Sequence, residues 1–360
     1  MRRVPKSILE PDLELPDARS GMRLADYTTL RVGGSARRLV AVDNESDLVQ
    51  CVRDLDARGE PVLILGGGSN LLVADSGFDG TVVKIETEGV GVETSGCSGA
   101  ILSVASGEHW DTLVLRTIEE EYSGLEAMSG IPGLVGATPM QNVGAYGAEV
   151  SESIETVRTY DRQTGQLRTF AAADCGFSYR SSRFKIELGR YLILSVVFQL
   201  RLGSLSAPIR YPELARVLDV DIGRRAPASE VREAVLNLRQ AKGMVLDDQD
   251  HDTWSAGSFF TNPILDADHS ALLPADAPRF PQPDGRVKTS AAWLIERAGF
   301  HKGYGDGAAR LSTKHTLALT NRGSASAADL VRLALEIRSG VQARFGLTLV
   351  PEPALVGIEL

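Results

Sequence analysis

Residues 46–85 read SDLVQCVRDLDARGEPVLILGGGSNLLVADSGFDGTVVKI, and the order of patterns in them decides the fold. Leu48, Val52 and Leu55 recur at helical spacing through 46–58, and Gly59 ends that run. PVLIL then forms a short apolar strand that runs straight into GGGSN, and TVVKI at 81–85 is the next strand. Such a start is the front half of a nucleotide-binding α+β domain. From about residue 90 the texture changes to glycine, serine and threonine with scattered valines, which predicts a second, β-rich lobe. Within it, Trp110, Leu113, Val114, Thr117 and Ile118 keep helical spacing over 109–122. Segments 154–160 and 166–170 flank DRQTG as a hairpin, and 191–200 is a buried strand. A helix over 229–242 takes Ser229 as N-cap and turns Val231, Val235 and Leu238 inward. The polar, acidic loop GMVLDDQDHDTWS follows it, so a domain boundary is expected near 245. A long helix over 326–345 carries Leu330, Ala334, Ile337, Val341 and Phe345 and stops at Gly346. The tail, LTLVPEPALVGIEL, holds one carboxylate, Glu352, between two prolines.

Bulk properties narrow the function. At 360 residues the chain exceeds the size at which one core usually stops growing. A net charge of −9 and the absence of any basic run set nucleic acid aside as a partner. The longest apolar run, YLILSVVF, falls far short of the roughly 20 residues a spanning helix needs, so no membrane insertion is expected. MRRVPKSILEPDLELP lacks the apolar core of a signal peptide and reads as a mobile acidic arm. Cys51, Cys97 and Cys175 contain no C-x-x-C pair, which argues against a disulfide framework and suits a reducing cytoplasm. The five histidines form no H-E-x-x-H or H-x-H pair, so metal catalysis is not expected.

Three stretches carry chemistry. LGGGSN at 65–70 lets backbone N–H groups crowd a phosphate, yet it also suits a plain strand-to-loop turn. It is neither a dinucleotide fingerprint nor a P-loop. SGIPGLVGATPMQNVGAYG at 129–147 has more glycines than one turn needs and almost no charge; it reads as a neutral wall for a flat cofactor, or as a tightly packed structural loop. SAGSFFTNP at 255–263 presents a lone hydroxyl, Ser258, beside two phenylalanines for which packing alone offers no reason. Elsewhere the alternatives stay open. Arg180 is a surface cation or a fork for a carboxylate. Arg239 and Lys242 are a solvated helix end or a phosphate clamp. Glu352 is a surface charge or a perturbed acid. His315 is read as part of a strand over 313–319.

At this point the chain resembles the UDP-N-acetylenolpyruvoylglucosamine reductases, flavoenzymes of bacterial peptidoglycan synthesis. The resemblance rests on YTTLRVGG, LGGGSN, GIPGLVGATPMQNVGAYGAEV, YRSSRFK, AGSFFTNP, KTSAAWLIERAGF and VPEP, in that order, and spans about residues 24–355. It implies an α+β fold: a vanillyl-alcohol-oxidase-type, two-lobed FAD-binding domain plus a smaller α/β substrate-binding domain. The expected division is a mobile arm over 1–22, a first lobe over 23–88, a second over 89–244, and a substrate domain over 245–345. The tail, 346–360, is expected to return to the second lobe. FAD would lie against Gly66, Gly67, Gly68, Ser69 and Asn70, and against Ile131, Pro132, Gly133, Gly136, Ala137, Gly144 and Ala145, with 28–34 helping.

NADPH would reduce FAD and leave, and UDP-N-acetylglucosamine enolpyruvate would then take hydride at its vinyl terminal carbon. Arg180 and Glu352 match the family residues that face the substrate carboxylate, and Ser258 matches the proton donor. Tyr146, Tyr179, Tyr211, Lys242 and Asn262 match positions that grip the sugar nucleotide, and Tyr211 lies in the segment of a loop-bearing subtype. A monomer is expected, in the cytoplasm that the cysteine usage suggests. Two departures stand out: His315 replaces a common glutamine and is assigned no role, and the loop 243–254 is longer and more acidic than expected. Two other functions fit the fold less well. A sugar or alcohol oxidase often tethers its flavin through His or Cys, which neither cofactor loop offers. A catalytically dead module would tolerate loss of Ser258, Arg180 or Glu352, all of which are present.

Overall fold

The computed structural model describes residues 19–360, and the expected arm lies outside the described residues as far as position 18. Arg19–Ser20 is no part of an arm: it pairs antiparallel with Leu39 and Arg38. That pairing edges a four-stranded sheet in the order Arg19–Ser20, Ala36–Val42, Phe78–Ile85, Val62–Leu65. The last three strands run parallel. The helix Glu45–Ala57 makes the crossover and starts where the Asn44 side chain accepts the Asp47 N–H. Its Leu48, Val52 and Leu55 are fully buried against Val40 and Val83. The same cluster takes in Tyr160, Leu192 and Leu194, so the first sheet and the second share one core.

The second sheet is antiparallel, in the order Gln166–Ala171, Ile154–Asp161, Tyr191–Leu202, Gly99–Ala105, Val90–Ser95. The helix Trp110–Glu119 covers it. Trp110 is fully buried, with its ring centroid 6.0 Å from that of Phe198 and its indole N–H donated to the Met128 carbonyl. The helix Ala228–Ala241 begins after Pro227, so Ser229 stands inside the first turn rather than at the N-cap. Proline fixes the φ with which the chain enters the helix but carries no side-chain acceptor, so the first turn has no side-chain cap. Between 203 and 227 the chain folds back on that helix and buries Ile209 and Leu214 against Val231 and Val235.

The third region is built round the helix Ala327–Phe345, which has a full capping box at Ser326 and Asp329 and ends at Gly346 in the left-handed region. Its core takes in the helix Ala291–Arg297, the pair Ala309–Leu311 and Leu319–Asn321, and also Leu30, Val32 and Leu72 of the first region. Phe259 and Phe260 belong to this core, each 1% exposed, so packing does explain the aromatic pair. Burying two such rings is worth roughly 1.5–3 kcal/mol each.

The tail meets both lobes: Ala354–Val356 pairs parallel with Leu71–Val73 of the first, just after the GGGSN loop, while Glu352 reaches Arg180 and Gln141 of the second. Leu71, Leu72 and Val73 are all buried, and an apolar strand of this kind needs a partner for its backbone groups. Among the described residues, no helix is long and apolar enough to cross a membrane.

Candidate active site

A cavity of about 560 Å³ opens where the three regions meet. Gly66, Gly67, Gly68, Ser69 and Asn70 line one wall, Ile131, Pro132, Ala137 and Gly144 another, and Arg180, Ser258 and Glu352 all face the same space. The two glycine loops touch each other. A Cβ on Gly67 would stand 2.7 Å from the Gly133 Cα, and one on Gly68, at φ +61°, would stand 1.9 Å from the Tyr27 carbonyl oxygen. Only glycine allows that approach. Ser69 donates its hydroxyl to the Pro132 carbonyl at 3.0 Å, which fastens one loop to the other. Gly136 stands back from the cavity and packs on Ser106, while Ala145 joins a short ladder with Ala148.

Backbone contacts position Ser258, Arg180 and Glu352. Ser258 follows Gly257, at φ +73°, and precedes the two core phenylalanines. Phe259 donates its N–H to the Leu317 carbonyl and accepts the Glu352 N–H at 2.8 Å, while Thr261 donates to the Val350 carbonyl. A carboxylate 94 positions later in the chain is thereby set beside the serine turn. Arg180 sits at the tip of a tight hairpin closed by reciprocal Ser178–Ser181 bonds, with φ +53°. A non-glycine residue held there stores strain of order 1 kcal/mol, and such strain clusters at functional sites. Arg180 donates Nη2 to the Gly144 carbonyl at 2.9 Å, and its Nε lies 2.9 Å from Glu352 Oε1 as a charge contact. That Nε has no hydrogen-bond partner, because its N–H points off the line to the carboxylate.

Burial pushes the Glu352 carboxyl above its ordinary pKa, opposed by the Arg180 and Lys185 cations. Burial likewise lowers the pKa of Lys185, which donates Nζ to the Arg180 carbonyl and lines the cavity. Gln141 donates to Glu352 Oε1 at 3.2 Å and is itself held by the Asn70 side chain at 2.7 Å. Asn70 therefore spends its amide on Gln141. Asn142, fully buried, donates to Glu149 Oε2 and to the Ser178 carbonyl and so ties the glycine-rich loop to the Arg180 hairpin.

The residues expected to grip a sugar nucleotide lie outside the cavity lining. Tyr146, at φ +49°, meets Tyr211 edge-on at 5.4 Å, and Lys242 Nζ stands 5.7 Å from the Tyr146 ring centroid. Lys242 is paired with Glu213 at 2.6 Å. Tyr179 accepts the Asn262 N–H at 3.4 Å, and Lys288 stands over its ring at 4.5 Å. The Asn262 side-chain oxygen accepts the Ala291 N–H at the start of a helix. His315 sits in the turn between Ala309–Leu311 and Leu319–Asn321, not in a strand: Ser312 accepts its N–H, and the ladder resumes only at Leu319. Lys185, Gln141 and Asn142, which line the cavity or brace its loops, carry no signal in the sequence analysis. The phosphate-clamp alternative for Arg239 and Lys242 came nearest, but helix-face spacing alone could not rank it.

The cavity suits a flavin nucleotide. Its two glycine loops present backbone N–H groups to a phosphate, and Arg239, 9% exposed, lines the wall with an Nε that has no hydrogen-bond partner. A buried cation with an unspent donor matches an acceptor-rich, anionic ligand. Replacing Gly67 by alanine is expected to push the two loops apart and cut the flavin retained on purification several-fold. The ratio of 450 nm to 280 nm absorbance measures this, and an unchanged ratio would contradict the assignment.

Two family models match the chain: an FAD binding domain over residues 36–171 and the C-terminal domain of UDP-N-acetylenolpyruvoylglucosamine reductase over 248–356. The chain is 57% identical over 337 residues to a protein of Cutibacterium acnes named UDP-N-acetylenolpyruvoylglucosamine reductase, covering 93% of this chain and 89% of that one. A relative of the same name in Streptomyces coelicolor is 52% identical, covering 99% of this chain and 94% of its own length. The crystal structure of UDP-N-acetylenolpyruvylglucosamine reductase from Thermus caldophilus superposes with a TM-score of 0.64 at 26% identity, covering 94% of this chain and 99% of that one.

Proposed function

The chain belongs to the UDP-N-acetylenolpyruvoylglucosamine reductase family, a family of FAD-dependent oxidoreductases in peptidoglycan synthesis, and from that premise we propose how its residues perform the reduction. The substrate is UDP-N-acetylglucosamine enolpyruvate and the product UDP-N-acetylmuramate. Bound FAD supplies a hydride, drawn from NADPH, to the vinyl terminal carbon. Negative charge then grows on the carbon beside the carboxylate, and that enolate must be stabilised and protonated.

The observation that carries the reading is the convergence of Arg180, Glu352 and Ser258 on one cavity. Arg180 faces the substrate carboxylate with a fixed cation, and Glu352, in its protonated form, donates a hydrogen bond to the same group. Burial favours that protonated form. Ser258 delivers its Oγ proton to the carbon. A hydroxyl is a weak acid, yet a carbanion is a strong base, so the donor needs position more than acidity. Both the glycine before Ser258 and the buried phenylalanines after it supply position.

Lys242 grips the pyrophosphate of the sugar nucleotide and exchanges its Glu213 partner for that anion. Tyr211 closes with it from the 205–214 loop, the mark of the loop-bearing subtype, while Tyr146, Tyr179 and Asn262 line the approach. A monomer in a reducing cytoplasm fits the three unpaired thiols, Cys51, Cys97 and Cys175. The test is turnover: the purified yellow protein should oxidise NADPH when given the enolpyruvyl sugar nucleotide and yield the lactyl product. Oxidation that ignores this substrate, or that follows an alcohol or sugar instead, would refute the proposal.

A further inference from the structure

Ser258 has one side-chain neighbour that the reaction just described does not use. His315 Nε2 stands 3.3 Å from Ser258 Oγ, a hydrogen bond across 57 positions of sequence. The turn that carries His315 is tightly fixed: Ser312 Oγ accepts the His315 N–H, Ser312 donates its own N–H to the Ala318 carbonyl, and Leu317 accepts the Phe259 N–H. Serine and imidazole are thus held on two segments that are bonded to each other, one residue from the serine and two from the histidine.

The charge around the ring decides its protonation. Burial and the cations Lys242, Lys302 and Arg239 push the pKa down to about 4, with Glu296 opposing. Thr316, next along the turn, donates its hydroxyl to that same Glu296. The ring is therefore neutral at pH 7 and carries a single N–H. A hydroxyl that must give its proton to carbon cannot also spend it on an imidazole lone pair. The productive tautomer therefore has the proton on Nε2, with Ser258 Oγ as acceptor.

We propose that His315 is a positioning residue: its Nε2–H, bonded to Ser258 Oγ, turns the hydroxyl proton toward the reacting carbon and replaces that proton after transfer. The inference rests on the reading of Ser258 as proton donor. As the C–H bond forms, the Oγ–H bond breaks and its electron pair stays on oxygen, where the Nε2–H bond shortens onto the growing alkoxide. Oγ then takes the Nε2 proton while Nδ1 takes one from solvent, so the ring remains neutral and one solvent proton is consumed per turnover; exchange with solvent, losing Nδ1–H and regaining Nε2–H, restores the starting tautomer before the next turnover. This arrangement resolves the weakness of serine as an acid, since the alkoxide is never left without a donor.

The experiment is a single-turnover measurement on enzyme reduced with NADPH and then mixed with the enolpyruvyl sugar nucleotide. It compares the unchanged protein with Ser258→Ala, His315→Phe, His315→Gln and the double variant Ser258→Ala/His315→Phe. His315→Phe is expected to slow product formation roughly 10- to 100-fold, the loss expected for a hydrogen bond to a developing anion. Reduction by NADPH and KM for the substrate should stay unchanged. His315→Gln, which offers an amide N–H at similar reach, should recover most of the rate, and His315→Phe should add nothing to Ser258→Ala.

Nitrogen-15 spectra of the imidazole in the unchanged protein supply a readout that needs neither turnover nor a stable variant: a neutral ring protonated on Nε2 is expected. A ring protonated on Nδ1 alone, or equal slowing by Phe and Gln, would overturn the inference. Should Ser258→Ala be slow while His315→Phe runs at full rate, the positioning role falls and the proton donor stands. Should Ser258→Ala itself run at full rate, the reading of Ser258 falls.

Discussion

Ser258→Ala is expected to leave reduction by NADPH at its normal rate and to slow product formation by ~10³-fold, within the 10²–10⁴ that a positioned general acid typically contributes. The split between the two half-reactions is the diagnostic part. Removing one oxygen from a turn anchored by Phe259 and Phe260 leaves the core intact, because both rings belong to it, are 1% exposed and do not line the cavity. Flavin content and melting temperature should therefore match those of the unchanged protein, so the loss cannot be assigned to folding. Stopped-flow absorbance at 450 nm follows the first half-reaction, and quenched-flow analysis of the sugar nucleotide follows the second. Product formation at near-normal rate would mean that the proton comes from another group.

The second large effect is expected at the ion pair. Arg180→Ala should lower the rate of product formation by ~10²–10³, the usual cost of deleting a preorganised donor aimed at developing charge. Lysine should recover only part of this, since a single ammonium cannot hold both the Gly144 carbonyl and the substrate carboxylate as a guanidinium fork can. The pair also predicts a pH dependence whose sign follows from the carboxyl group. Burial raises the Glu352 pKa, so its protonated form persists to higher pH than an exposed glutamate allows. If that form works, the rate is flat below the raised pKa and falls as pH increases through it. Removing the Arg180 cation, which favours the carboxylate, should move this falling limb to higher pH. Glu352→Gln, neutral at every pH, should abolish the limb. A limb that moves to lower pH in Arg180→Ala would contradict the assignment.

Local patterns in the sequence carried much of this architecture. Leu48, Val52 and Leu55 announced a helix by their spacing and are buried together. The hairpin around DRQTG and the stop at Gly346 followed from turn chemistry, and the structure has both. What local pattern could not convey is the pairing of distant segments. Nothing in VPEPALV says that it adds a parallel strand beside Leu71–Val73, yet that ladder is what brings Glu352 to Arg180. Gln141, whose two partners lie 71 and 211 positions away, has no local signature at all. The paired phenylalanines misled in the opposite way: they looked functional and prove to be the core anchor that holds Ser258 still. The alternation in TKHTLAL at 313–319 suits a strand, but the Ser312 hydroxyl bends His315 into a turn.

Catalysis as proposed requires one substrate to meet all three side chains at once. The most direct measurement is a crystal structure of the FAD-loaded enzyme with UDP-N-acetylglucosamine enolpyruvate, trapped in Ser258→Ala. The substrate carboxylate is expected within hydrogen-bond reach of Arg180 and Glu352, with the alanine Cβ ~3–4 Å from the carbon that is to be protonated, a near-attack separation allowing for the missing oxygen. A substrate whose enolpyruvyl group lies away from these residues, or whose carboxylate is held by other cations, would contradict it.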